Sequence, residues 1–560
     1  MGTSRDLAPP RWLVLITFSA LSALLYFPLH VRYQNPDQDY PALALIEFVR
    51  GGWEPSSLQY PSALTNLLHA AYAIGLAGAR LVGWNATADD LLAAWSRDPA
   101  PFRILPRFIA MTGGVVSLLA VARLTALVTD SWSGLLAAAL LGTSYMFVRE
   151  HHHGLLDAPA STAVIGSLYL CGRHVVRPGR GTIVAAAATA TLALCFKYNA
   201  GVALLGPLLA LWLGPAPPGW KWRAGGLALL SAVLTLLATS PAVLLEPARL
   251  ALHVGVLRAM MRGLRGVSTY GLGDVLRNGL GLPLLGVALW GALAALRRRE
   301  LALFPLLGFT AAYGVVAWQN PLALNRYALP LAPAAAVLAA YGLHRLAPPL
   351  LRVATFAALI AFGLPSSLDY VSLIAREDTR VASARWLREH VRPDARIFLP
   401  GKLMVAGYIG PDLPRAFGLP KEMSEERRRQ VEEKLSRPFP QTWRFFAPPP
   451  AYAQRPAGRE RLAPLANGIV VTSEMPDEPF AQYCCSPEAL RDLERYAVLL
   501  QDYPVERTPD GRTYEHDLNY VPFRGMRTLT RPGPRIRIWY VPPSGKSAEE
   551  PSPFVEGRAP

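Results

Sequence analysis

Ten stretches of this chain contain no Asp, Glu, Lys or Arg: Leu13–Leu29, Trp132–Val148, Ala158–Gly172, Thr182–Phe196, Tyr198–Leu213, Ala224–Leu245, Gly279–Leu296, Leu301–Trp318, Tyr327–Leu343 and Val353–Leu368. An eleventh, Ile104–Leu127, holds only Arg107 and Arg123, near its two ends. A helix crossing a bilayer needs ~20 mostly apolar residues and keeps charge out of its centre. The reading is therefore a polytopic membrane bundle of about eleven transmembrane helices. Composition agrees: 52% of the 560 residues are hydrophobic and only 17% charged. A soluble chain of this size carries more charge. Arg5 and Arg11 precede the first apolar run as in a signal peptide, but no small-residue cleavage site follows Leu29, so an uncleaved first span is expected.

Charge in the short loops sets the orientation. Ser62–Val82 is apolar enough to span, but the loops fall into register only if it lies in the membrane interface. One set of short loops then holds Arg173, Arg177 and Arg180; Lys221 and Arg223; Arg297, Arg298 and Arg299; Arg345 and Arg352. The opposite set holds Arg149, Lys197 and Arg326. Short basic loops stay in the cytoplasm. The N-terminus is expected inside and the first long loop outside. The loop Glu246–Asn278 is also expected outside, although it carries Arg249, Arg258, Arg262, Arg265 and Arg277. A net charge of +16 without a basic-aromatic module favours anionic lipid over nucleic acid as partner.

The domains expected are a membrane part, 1–374, with its first outer loop at 31–101; a soluble outer domain, 375–541; and a polar, Pro-rich, disordered tail, 542–560. In the soluble part, Arg376–Val391 reads as an amphipathic helix, Lys421–Leu435 as a charged helix and Phe439–Gly458 as a loop. Ala395–Leu399, Gly468–Thr472 and Arg535–Val541 read as strands, which makes a small α/β domain. The four cysteines, Cys171, Cys195, Cys484 and Cys485, imply no disulfide framework.

Chemistry-bearing residues collect on the expected outer side. Asp37 and Asp39 follow the first span. Arg149–Asp157 (REHHHGLLD) is the turn between two spans. Lys197 and Arg326 each stand in a short outer turn. Polar groups at membrane depth are costly, which favours a functional reading. The bland readings are a solvated Asp37, an N-capping Asp157, a snorkelling Lys197 and a topology-setting Arg326. A metal on His151, His152 and His153 is open, but three consecutive helical residues do not all face one ion.

Five stretches in order resemble the polyprenyl-phosphate-sugar-dependent glycosyltransferases of the GT-C superfamily, and most nearly glycosyltransferase family 39. They are Asn35–Gln38 with Trp53–Ser62; Phe102–Gly114 (FRILPRFIAMTGG); Arg149–Asp157; Lys197–Ala200 (KYNA); and Asn325–Pro333 with Thr379–Val391. The resemblance implies an inverting transfer of a hexose or pentose from a polyprenyl-phosphate donor to an extracytoplasmic acceptor hydroxyl, with membrane lipids as surroundings and the acceptor unidentified. It implies Asp37, Asp39 and Asp157 as catalytic carboxylates, and His152, Arg149, Lys197, Tyr198, Arg326 and Tyr327 as substrate-binding residues. The family's Asp-Glu pair is Asp37–Gln38 here, which leaves Asp37 as the base and Asp39 as substitute partner. No cofactor is certain; a divalent metal remains open. The location implied is a bacterial cytoplasmic membrane. A transporter or lipid flippase is the alternative; it predicts internal repeats and mid-membrane charge, neither of which stands out.

Overall fold

The computed structural model describes residues 9–27, 40–49, 58, 60–88, 90–91, 94, 100–263, 271–320, 324–346, 348–392, 395–398, 444–446, 458–474, 487–504, 525–543 and 553–555. Two compact units emerge, one chiefly Arg103–Val371 with parts of the first 78 residues, the other chiefly Ser372–Pro560.

The first unit is helical. It opens with α1 (Arg11–Tyr26), α2 (Tyr40–Val49) and α3 (Ala63–Leu81). Next come α4 (Ala100–Val128), α5 (Ser131–Gly142), α6 (Tyr145–His152), α7 (Asp157–Val176) and α8 (Arg180–Phe196). A 3-10 segment, Tyr198–Leu204, leads into α9 (Leu205–Leu213), then α10 (Pro218–Thr239), α11 (Ala242–Leu245) and α12 (Pro247–Gly263). The remainder is α13 (Leu272–Gly279), α14 (Leu282–Arg297), α15 (Phe304–Trp318), α16 (Asn325–Ala328), α17 (Leu331–Leu346) and α18 (Pro349–Ile374).

Among the described residues, four helical stretches are long and apolar enough to cross a membrane: Pro101–Val128, Pro218–Thr239, Leu301–Trp318 and Pro349–His390. The pairs α5–α6 and α13–α14, bent by 62° and 105°, raise this to six if each crosses as one span. α1, α8 and Tyr198–Leu213 are shorter apolar helices. α3 is not among the candidates, as its His69, Asn66 and Arg80 suggest. The outward faces are apolar: Trp212, Trp222 and Trp318 are exposed by 74%, 81% and 75%. Water would oppose so much bare indole; lipid and its interface accept it.

Small residues bring the helices together. A Cβ on Gly291 would overlap the Leu338 carbonyl, and one on Gly342 would lie 2.8 Å from the Gly291 Cα, so α14 and α17 cross at a Gly–Gly contact. At one end of the bundle, Asp130 caps α5 by accepting from the Ser133 N–H at 2.6 Å. The same carboxylate meets His344 at 2.9 Å and Arg352 at 3.6 Å, which ties the α4–α5 turn to α17 and α18.

The second unit holds a five-stranded mixed sheet of order β2-β1-β3-β5-β4. Its strands are β1 (Arg396–Phe398), β2 (Arg444–Phe446), β3 (Gly468–Glu474), β4 (Val498–Tyr503) and β5 (Arg535–Val541). β1 pairs in parallel with β2 and β3; β5 pairs antiparallel with β3 and β4. The alternation of β5 sorts its faces. Ile536 and Ile538 pack with Ala384 and Leu387 of α19 (Thr379–His390). Trp539 and Val541 pack with Leu462 of α20 (Arg459–Leu462) and Leu493 of α21 (Pro487–Tyr496). Tyr503 donates to the Ala382 carbonyl at 3.3 Å, and burial pushes its phenol up to about 12.

Two sequence expectations change. Arg444–Phe446, within the expected loop Phe439–Gly458, is β2; three residues are too few for a strand period to show. Pro553–Val555, within the expected disordered tail, dock on the end of α19, with Phe554 bridged to Val391 and its ring 5.3 Å from that of Tyr540. The expected helix Lys421–Leu435 lies outside the described residues.

Candidate active site

The site is built on breaks in helices. The α5–α6 span bends at Thr143–Ser144, where both hydroxyls bond back to carbonyls of α5, Thr143 to Ala139 at 2.7 Å and Ser144 to Leu141 at 2.8 Å. Such back-bonding loosens a helix locally. α6 then carries Arg149, Glu150, His151 and His152, all buried. It ends at Gly154, whose φ of +64° is left-handed. A Cβ there would also lie 2.9 Å from the Arg107 backbone nitrogen, so only glycine allows α4 this close. The Gly113–Gly114 pair of α4 serves the same end. A Cβ on Gly114 would sit 2.9 Å from the His151 ring, and one on Gly113 2.7 Å from the Thr162 hydroxyl.

Asp157 follows as the first residue of α7, with Leu156 at the cap position. It is therefore not an N-cap, although an acid in the first turn still suits the helix dipole. α8 stops at Phe196, and Lys197 is extended (φ −155°, ψ 125°) before the chain re-enters a helix. That one-residue break turns Lys197 inward. Its ammonium donates to Asp157 Oδ1 and stands 4.1 Å over the Tyr327 ring. Arg326 lies 5.5 Å over the same ring, and the Tyr327 carbonyl accepts from the Tyr313 hydroxyl at 3.0 Å. Arg326 and Glu150 are close enough to act electrostatically on Lys197; Arg107, Arg149 and Arg326 likewise act on His153. Three stretches far apart in sequence, Arg149–Asp157, Lys197–Tyr198 and Asn325–Tyr327, thus form one buried cluster. The cluster gathers the buried side chains of Arg107, Arg149, Lys197 and Arg326 with those of Glu150 and Asp157.

Other expected residues sit differently. His152 has Nδ1 2.7 Å from the Val148 carbonyl and Nε2 3.0 Å from the Phe27 carbonyl, so backbone occupies both nitrogens. It ties α6 to the end of α1. His151 holds the Phe147 carbonyl through Nδ1 at 2.7 Å. Among the described residues, no group of three or more His, Cys, Asp or Glu is placed to hold a metal ion. Tyr198 donates its hydroxyl to the Leu58 carbonyl at 2.9 Å. Of the Arg-rich loop, Arg249 pairs with Glu246 at 2.7 Å. Asp37 and Asp39 lie outside the described residues.

Some residues of the site escaped the sequence reading. Asn325 is fully buried, and neither amide atom has a hydrogen-bond partner. It stood in the quoted NRY stretch, but nothing marked its amide for attention. Tyr313 stands in a charge-free span, where no spacing distinguishes it from a core aromatic.

The resemblance to GT-C glycosyltransferases read from the sequence holds at the level of the fold, which a solved structure of that type shares. ArnT from Cupriavidus metallidurans bound to undecaprenyl phosphate aligns with a TM-score of 0.50 at 16% identity, over 97% of this chain and 100% of that one. Its apo form aligns with a TM-score of 0.47 at 15% identity, over 94% and 98%. The Archaeoglobus fulgidus oligosaccharyltransferase in complex with Zn and sulfate aligns with a TM-score of 0.43 at 15% identity over 71% of this chain, which spans 61% of that structure. No protein-family model matches the sequence, and no curated protein matches it.

Proposed function

We propose that this protein is an integral-membrane inverting glycosyltransferase that moves a hexosyl or pentosyl unit from a polyprenyl-phosphate donor to an acceptor hydroxyl outside the cell. The observation that carries the reading is the buried cluster that gathers Arg107, Arg149, Lys197 and Arg326 with Glu150 and Asp157 inside the bundle. Cations gathered at one place in an apolar bundle suit an anion. A lipid-borne phosphate supplies one, with the polyprenyl chain against the apolar helices. The ArnT structure that shares the fold binds undecaprenyl phosphate, which supports that donor class.

In the step proposed, Asp37 takes the proton of the acceptor hydroxyl as its oxygen attacks the anomeric carbon. The bond between that carbon and the phosphate oxygen breaks, a glycosidic bond forms with inversion, and polyprenyl phosphate leaves. Positive charge develops on the sugar ring, as in glycoside hydrolysis, and negative charge on the leaving phosphate. Arg326, Lys197 and Arg149 stabilise the phosphate, Arg through its fork of donors. Asp157 holds the Lys197 ammonium in place before the donor arrives. The proposed setting is a bundle of about eleven spans in a bacterial cytoplasmic membrane. The N-terminus lies inside, and the soluble domain lies outside.

The test is the purified protein in liposomes with a radiolabelled polyprenyl-phosphate sugar. Transfer to an added acceptor, or slow hydrolysis without one, is expected. Movement of the lipid across the bilayer without chemistry would replace the reading with a flippase.

A further inference from the structure

The Leu58 peptide is held on both sides. Its N–H donates to His253 Nδ1 at 2.8 Å, and its carbonyl accepts from the Tyr198 hydroxyl at 2.9 Å. The Leu58 side chain is buried. Just beyond, the Ser62 N–H donates to Ser240 Oγ at 3.2 Å. The Ser62 hydroxyl and the Asn66 amide both donate to the Thr239 carbonyl, at 3.1 and 2.9 Å. Tyr198 is the neighbour of Lys197, whose ammonium rests on Asp157. One line of contacts therefore runs from His253 on α12 through Leu58 and Tyr198 to the buried ion pair.

The bond from Leu58 constrains the imidazole. To accept an N–H, Nδ1 must carry its lone pair, so the ring is neutral with its proton on Nε2. Protonation would set one donor against another. We propose that neutral His253 is a positioning residue for sugar transfer: it fixes Leu58, and through Leu58 and Tyr198 it keeps Lys197 seated on Asp157. The role rests on the glycosyltransferase reading. Arg249 lies one turn earlier on α12 and is paired with Glu246 at 2.7 Å. Arg258, further along the helix, is exposed. Tyr60 follows Leu58 in the chain, and Tyr198 and Lys197 stand on its far side.

The experiment compares the full-length wild type, His253→Asn and His253→Leu in nanodiscs. Asn keeps an acceptor where Nδ1 stood and does not titrate; Leu removes it. Deuterium uptake over residues 58–66 is read beside turnover. Wild type should be protected, and loss of the Leu58 bond should cost about tenfold in protection, the scale of one hydrogen bond. His253→Asn should keep protection and turnover; His253→Leu should lose both. Equal protection in all three proteins would overturn the proposal. Protection that follows residue 253 while turnover does not would reduce His253 to a structural bond and overturn the positioning role. No transfer by wild type at any pH, with protection behaving as expected, would sink the glycosyltransferase reading and leave the clamp standing.

Discussion

At the scale of single residues, the site rests on a buried ion pair, and such a pair is best read by removing its halves separately. Asp157→Asn leaves the Lys197 ammonium without its anion, and Lys197→Met leaves a buried carboxylate. Each should cost about 3–5 kcal/mol of stability, because a lone buried charge is not resolvated. The double variant should lose less than the sum, a coupling that thermal unfolding in detergent would measure. Additive losses would mean that the two charges do not depend on each other. A second residue-scale prediction concerns the base. Asp37→Asn preserves size and removes the proton acceptor, so turnover should fall on the order of 100-fold or more, and Asp39→Asn should cost much less. Turnover at equal membrane abundance decides; an inactive Asp39→Asn beside an active Asp37→Asn would exchange their roles. Much of the cluster was legible in the sequence. Lys197 and Arg326 stood out as lone cations in short turns, and Asp157 as the end of the REHHHGLLD turn, and the structure brings them together beside the Tyr327 ring. The backbone partners of His152 and His253 were not legible. The partners of His152 include a carbonyl of α1 and that of His253 is the Leu58 amide, and no local pattern encodes an imidazole's distant backbone partner.

At the scale of elements, the helices were legible by their missing charges, and their breaks were less so. Lys197 between two apolar runs did signal a junction. The bend at Thr143–Ser144 did not, because hydroxyl residues inside a charge-free run read equally well as continuous helix. β2 escaped for want of length, and the docked Pro553–Val555 because a Pro-rich tail gives no sign of what a single Phe can reach. Gly154 shows how much one element boundary can hold. It closes α6 in a left-handed conformation and leaves room for the α4 backbone at Arg107. Gly154→Ala meets both constraints at once and should cost about 1–3 kcal/mol. Because Gly154 stands between His153 and Asp157, the same change should displace the Asp157 carboxylate and depress transfer more than Lys197→Arg does. Wild-type melting and turnover in Gly154→Ala would show that neither constraint is real.

At the scale of the whole molecule, the sign of the topology rests on charge alone. By the sequence reading Arg173, Arg177, Arg180, Lys221, Arg223 and Arg297–Arg299 fall in loops of one parity, and Arg149, Lys197 and Arg326 in loops of the other. Short loops rich in Lys and Arg are retained in the cytoplasm. The weak point is α3. Were it a span, every later loop would change sides and the cluster would face the cytoplasm. Its hydropathy keeps it out of the candidate spans, and buried polar contacts hold it elsewhere. His69 Nε2 lies 2.8 Å from the Ala44 carbonyl, and Asn66 donates to the Thr239 carbonyl. Single cysteines at exposed positions test the sign directly in a cysteine-free background. Arg298→Cys, in a basic loop, should be labelled only from the cytoplasmic side. Val498→Cys, 51% exposed on β4, should be labelled only from outside. Ile74→Cys, on the bare face of α3, should react slowly from either side, as a residue in the interface does. Labelling of Arg298→Cys and Val498→Cys from the same side would break the span parity. Opposite labelling with the sides exchanged would make α3 a span, place the ion pair at the cytoplasmic face, and require a donor presented there.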